Sequence, residues 1–169
     1  MKRRIGALLA LVLALLLLCA CGAKPAPVGD KTCTISISCE TLLDRLDELP
    51  EEKAALVPAD GWLFSETKVP FSEGESVFDV LQRVCQANKL HMEFSKTPVY
   101  DSAYIEGIGN LYEFDAGALS GWVYSVNGWF PNYGCSRYAV QAGDVIEWVY
   151  TCDLGSDVGA SGVSQGYEE

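Results

Sequence analysis

At 169 residues, with 12 basic against 23 acidic side chains, the chain carries a net charge of −11, which sets phosphate backbones and anionic headgroups aside as partners for most of its surface. Its length allows one ordinary domain with a single core. Nucleic-acid binding is thereby excluded, and any affinity for a membrane must come from something other than charge.

The N-terminus sets Lys2, Arg3 and Arg4 ahead of an apolar run from Ile5 to Ala20, closed by Leu18-Cys19-Ala20-Cys21. The run is shorter than the roughly 18 to 20 residues of a spanning helix, and a small residue followed by cysteine has the form of a processing site. This segment resembles a bacterial lipoprotein signal, with Cys19 standing where Ala or Ser is commoner. The resemblance implies cleavage before Cys21 and a diacylglyceryl group on the Cys21 sulfur. Two acyl chains, at about 0.8 kcal/mol for each buried methylene, hold a protein stably where one does not. Residues 1–20 are therefore expected to be a signal peptide, 21–32 a lipidated tether, 33–154 the folded domain and 155–169 a disordered acidic Gly/Ser tail. Loss of three bases and no acid with the leader moves the net charge from −11 to −14. The expected location is the extracytoplasmic face of a cell membrane, at a Gram-positive surface, with the membrane a partner only through the lipid.

Within the domain, Thr34 to Cys39 alternates polar and apolar residues and reads as a half-buried strand. Leu42, Leu43, Leu46 and Leu49 predict a short helix over Thr41 to Leu49, ended by Pro50. A second strand covers Trp62 to Phe71. The strongest helix runs from Ser76 to Asn88: Ser76 and Asp79 form a capping box, and Val77, Val80, Leu81, Val84 and Cys85 make one apolar face. Strand signals then follow at Leu90–Phe94, Tyr104–Ile108, Gly121–Phe130, Tyr138–Val140 and Val145–Thr151. Asn127-Gly128 marks a two-residue hairpin, since a type I′ turn needs positive φ at both positions, and Gly143-Asp144 marks the next turn. One main helix on a mixed or antiparallel sheet is an α+β domain.

Cys33, Cys39, Cys85, Cys135 and Cys152 lie outside the leader. Outside the cytoplasm such thiols can pair. Cys33 and Cys39 sit on one strand about 20 Å apart, beyond the roughly 7 Å reach of a disulfide. A hairpin turning at Ala142-Gly143-Asp144 would place Cys135 opposite Cys152, which predicts that bridge. Cys39 with Cys85 is the second expected pair, leaving Cys33 free. Neither the two-residue spacing of a zinc ribbon nor that of a thioredoxin site occurs, so no metal is expected.

From Tyr104 to Asp157 the chain reads YIEGIGNLYEFD, SGWVYSVNGWFPNYG and GDVIEWVYTCDLGSD. These segments resemble a bacterial family of unknown function related to the C-terminal domain of transcobalamin and intrinsic factor. The matching positions are Val126-Asn127-Gly128, Gly143-Asp144, Ile146, Trp148 and Tyr150, and the likeness reaches back through Pro58-Ala59-Asp60-Gly61 and Glu73 to Phe78. The resemblance implies a β-grasp-like fold of four to five strands, with additional hairpins. In the cobalamin carriers such a domain packs on one face of the corrin ring and a separate helical barrel supplies the rest of the site. No residues here are expected to form that barrel, so the resemblance implies half of a clamp.

Five aromatics fall between Trp122 and Tyr133. Trp122 and Tyr124 share one strand face with Val126, a pattern that serves a core stripe as well as a contact surface. Trp129, Phe130 and Tyr133 lie beyond the turn beside Pro131 and Gly134 and are the foremost contact candidates. His91 is the single histidine, no Gly-x-Ser-x-Gly elbow is present, and Asp153 and Asp157 lack the alternating oxygens of a calcium loop. Catalysis is not expected, nor is a resident cofactor. The expected function is that of a non-catalytic binding module for a small molecule, with cobalamin or another corrinoid as the ligand implied by resemblance. The alternative is an adhesion or assembly module contacting an envelope protein or surface polymer.

Overall fold

A computed structural model describes residues 29–97 and 102–160; the expected signal peptide, Cys21, most of the tether and the tail beyond 160 lie outside the described residues. The central strand, β1 (Lys31–Ser38), buries Cys33, Ile35 and Ile37 on one face, as its alternation requires. On one side it pairs antiparallel with β2 (Trp62–Phe71), from Lys31 opposite Phe71 to Ser38 opposite Trp62, with the register slipping at Ile35/Ile37 and again at Ile37/Ser38. On the other side it pairs parallel with β7 (Val145–Thr151), Thr34 opposite Val145 and Ser38 opposite Val149. β6 (Gly121–Val126) closes the sheet antiparallel to β7, giving the order β2-β1-β7-β6. This mixed four-stranded sheet is the β-grasp arrangement that the sequence led us to expect. A second, antiparallel sheet is formed by β3 (Met92–Thr97), β4 (Ser102–Ile108) and the short β5 (Leu111–Tyr112).

The main helix, α2 (Val77–Asn88), has the expected cap. Asp79 N–H donates to Ser76 Oγ at 3.2 Å, and Ser76 N–H donates to Asp79 Oδ2 at 2.8 Å. Such a cap contributes about 1 kcal/mol by satisfying donors that the first turn leaves open. At the other end Lys89 adopts a left-handed conformation, φ 56°, and stops the helix. Val77, Phe78, Val80, Leu81, Val84 and Cys85 are buried in one core with the inner face of the sheet.

The helix expected over 41–49 is replaced by two 3-10 turns, Glu40–Leu42 and Leu46–Glu48. Leu42 and Leu49 are buried while Leu46 is exposed, so the leucines do not share one face. Pro50 caps the start of a single-turn helix, α1 (Glu51–Ala54), rather than ending one. Its missing N–H would be unsatisfied there anyway. Two strand expectations also fall away. β6 stops at Val126, and beyond it Trp129 and Ala139 make only isolated bridges, to Val126 and Ser76. The hairpin expected about Gly143 is absent, because β7 takes β1 and β6 as its partners.

That topology corrects the disulfides. Among the described residues all five cysteines are free and buried. Cys135, on the long crossing between β6 and β7, donates its thiol to Ala103 O at 3.6 Å, and Cys39 donates to Gly61 O at 3.4 Å. Without the hairpin nothing sets Cys135 opposite Cys152, and Cys85 lies on α2. Burial holds these thiols neutral: Cys33 is pushed up to about 11, and Cys39, Cys85 and Cys135 to about 12. The C-terminal boundary also moves. Ser156–Val158 form a 3-10 turn, and the Asp157 carboxylate accepts from Thr151 Oγ1 and, at 2.7 Å, from Cys152 N. Residues 155–160 therefore close the end of β7 instead of beginning the tail.

Candidate functional site

The turn after β6 is built as its sequence requires. Asn127 and Gly128 have φ of 53° and 76°, and reciprocal bonds of 2.8 and 3.0 Å between Val126 and Trp129 close it. Asn127 does more than turn the chain. Its Oδ1 accepts from Val145 N at 2.9 Å, and its Nδ2 donates to Asp144 Oδ1 at 2.9 Å. The other Asp144 oxygen accepts from Gln141 N at 2.8 Å, while Gly143, at φ 89°, passes its N–H to Thr32 O at 2.8 Å. The four turn residues singled out in the sequence, Asn127, Gly128, Gly143 and Asp144, thus meet in one knot that fixes both ends of the crossing.

On that crossing stands an aromatic ledge. Trp129 is 53% exposed, Tyr133 is exposed and Phe130 is half-buried. The rings of Trp129 and Tyr133 lie 6.1 Å apart at 62°, and Tyr133 stacks on Tyr138 at 6.3 Å and 16°. Tyr138 is a member that the sequence does not mark, because Tyr138–Val140 carries a strand signal and a spacing of five from Tyr133 has neither helix nor strand period. Burial, the Asp144 carboxylate and Tyr133 raise its phenol above the ordinary value.

Trp122 and Tyr124, whose strand stripe fits core and contact surface alike, belong to the core, each 7% exposed, and are not contact residues. Trp122 meets Tyr150 edge-on at 5.2 Å and donates its indole N–H to Leu111 O at 2.9 Å. Tyr124 lies 5.4 Å from Trp148. The second sheet lies over the face that the sequence left open, with Leu111 of β5 reached by Trp122. Tyr124 still serves the ledge from beneath, since its hydroxyl donates to Tyr133 O at 2.9 Å. Burial, Cys135 and the tyrosines at 133 and 138 raise its phenol, so it stays a donor. Ser136 Oγ accepts from Ala103 N at 2.9 Å, tying the ledge to β4. At Gly134 an added Cβ would sit 1.4 Å from Ser102 Oγ, so only glycine lets the chain pass this close.

Away from the ledge, the Tyr112 hydroxyl donates to Glu93 Oε2 at 2.8 Å and lies 3.4 Å from His91 Nδ1 on an exposed face. Lys53 sits 4.5 Å over the Tyr112 ring and pairs with Asp115 at 2.9 Å. Among the described residues no group of three or more His, Cys, Asp or Glu side chains is placed to hold a metal ion. Nor is any described helix long and apolar enough to cross a membrane.

Fold and ledge together define an α+β domain of mixed-sheet type that carries an aromatic loop at one end. Its segment 74–152 matches the family described as Domain of unknown function (DUF4430). No curated protein matches the chain. Among solved structures, haptocorrin in complex with Cbi is similar over 80% of this chain and 29% of its own, at 14% identity and a TM-score of 0.50. This chain therefore spans under a third of haptocorrin, and at that identity the likeness shows the fold alone. A protein of Ruminococcus gnavus ATCC 29149, provisionally described as metal binding, matches over 72% of this chain and 97% of its own at 15% identity and a TM-score of 0.43.

Proposed function

We propose that this chain is a lipid-anchored, extracytoplasmic binding module without catalytic activity, which holds a flat, partly apolar small molecule against its aromatic ledge. A corrinoid is the ligand class we assign. The observation that carries the reading is the ladder of Trp129, Tyr133 and Tyr138, three rings in series, with Trp129 53% exposed. Rings of this kind lose little side-chain freedom on contact and present wide apolar faces with polar tips. The ledge is also held from below, by Tyr124 and the Asn127–Asp144 knot, and so reaches a ligand already ordered. Haptocorrin, in complex with Cbi, shares the fold and supports the ligand class by analogy only. A ledge covers one side of a ligand, so the other side is left to solvent or to a second protein. The lipid anchor rests on Cys21 and the apolar run before it.

The test is titration of the purified chain with cobalamin, followed by the visible absorption of the corrin and by Tm. Binding raises Tm with ligand concentration, and Trp129→Ala abolishes the rise while leaving the Tm of the ligand-free protein unchanged. An absorption spectrum and a Tm that both ignore cobalamin would remove the corrinoid. The envelope-protein or surface-polymer reading would then take its place.

A further inference from the structure

The exposed face of the second sheet carries one row of residues that the aromatic ledge does not use. Glu93 of β3 stands opposite Gly107 of β4, and Gly107 stands opposite Tyr112 of β5. Because the middle residue has no side chain, the Tyr112 ring lies across the gap: a Cβ built on Gly107 would stand 2.8 Å from its Cδ1 and 2.9 Å from its Cε1. The phenol thereby reaches two strands over, donating to Glu93 Oε2 at 2.8 Å and lying 3.4 Å from His91 Nδ1. His91 and Glu93 flank Met92, so the strand period turns both to the same face. Gly109 N–H donates to His91 O at 2.8 Å, which continues the β3–β4 pairing one residue past the strand end. The ring is fixed as well as extended. Tyr112 N–H donates to Asp115 Oδ2 at 2.8 Å, and that oxygen pairs with Lys53 at 2.9 Å. Lys53 stands 4.5 Å from the ring centroid and donates to Asn110 O at 2.8 Å. Helix α1 and three strands thus bring one imidazole, one carboxylate and one phenol to a single point of the surface.

We propose that His91, Glu93 and Tyr112 bind a divalent transition-metal ion of the zinc or copper class. Such ions sit about 2.0 to 2.2 Å from nitrogen and oxygen ligands, which sets neighbouring donors about 3.0 to 3.4 Å apart in tetrahedral or octahedral geometry. The two separations at the phenol oxygen, 2.8 and 3.4 Å, are close to that span. On binding, the phenol proton leaves to water and the ion takes the place of the Tyr112–Glu93 hydrogen bond. An imidazole with two oxygen donors suits zinc and copper over calcium and magnesium, which take shells of oxygen alone. His91 and Glu93 are too few ligands by themselves; Tyr112 completes the set from 19 residues beyond Glu93. Three protein donors leave the outer positions to water. The site lies on other strands than the aromatic ledge and stands or falls independently of it.

The full chain is titrated with Zn2+ by calorimetry, with Ca2+ and Mg2+ as comparators, and with Cu2+ under nuclear magnetic resonance, where the paramagnetic ion broadens the nearest amides. The site predicts one Zn2+ per chain, no heat from Ca2+ or Mg2+, and broadening that begins at 91–93, 107 and 112 and spares the ledge at 129–138. His91→Ala abolishes the binding. Glu93→Gln and Tyr112→Phe each weaken Zn2+ about tenfold or more. Tyr112→Phe keeps the ring over Gly107, and with it the Tm of the metal-free chain. Affinity that Glu93→Gln or Tyr112→Phe leaves unchanged would mean an ion held by His91 without them. That outcome, Zn2+ binding that His91→Ala leaves unaltered, or broadening centred elsewhere overturns the proposal.

Discussion

The two ends of the β6–β7 pair solve the same problem in opposite ways. At the Val126 end the positive φ values fall on Asn127 and Gly128, which accept them at little cost, and the exposed aromatics that follow sit on backbone tied by side-chain bonds. At the Gly121 end they fall on Phe114 and Leu154, whose side chains gain no burial from it. One end is locally consistent, the other locally frustrated. Where local chemistry and the global fold agree, the residues explain themselves; where they conflict, the cost calls for a use elsewhere.

The comparison is broken most severely by Gly134→Ala. The new methyl would overlap Ser102 Oγ at 1.4 Å and approach its Cβ at 2.7 Å, so the crossing must lift from β4. A loss of about 3 kcal/mol is expected by urea unfolding, with the ledge disturbed and the Phe114 end untouched. Asn127→Ala comes next, removing two side-chain bonds and a residue suited to positive φ, and should cost about 2 kcal/mol. Nuclear magnetic resonance would show shifts confined to 126–145; changes reaching Leu119 or Leu154 would mean that the ends are coupled.

A subtler probe uses the thiols beneath each end. Cys135, under the ledge, is pushed up to about 12 by burial, and burial also raises Cys152, beside the Leu154 loop. Unfolded, these thiols ionise near the ordinary 9.0. The folded chain therefore keeps protons that the unfolded chain has released. Stability is fully present below pH 9 and is lost as pH rises from about 9 toward 12. Urea midpoints at pH 8, 9.5 and 10.5 should fall in that order; a midpoint that holds constant would refute the burial. At pH 8 a thiol reagent should modify Cys152, on the strained end, before Cys135.

Much of this architecture was legible locally. The alternation of 34–39, the run 62–71 and the Ser76/Asp79 box marked β1, β2 and α2 because each signal is written within one element. Asn127-Gly128 was legible for the same reason. What escaped was long-range. No local pattern announces that β7 lies parallel to β1, and without it Gly143-Asp144 looks like a hairpin that brings Cys135 to Cys152. The same blindness left Trp122 and Tyr124 ambiguous, since a strand face is core or surface according to what packs on it. Tyr138 was hidden because rings in a loop stack by geometry that has no sequence period.

The side-by-side placement of β1 and β7 has a kinetic consequence. Thr34 and Val145 stand opposite one another, so the centre of the sheet cannot close until the chain has been synthesised through β7. Contacts this remote in sequence slow folding. Until the last strand arrives, β1 has one unsatisfied edge, which makes a chain truncated before 145 a candidate for aggregation rather than for a smaller stable unit.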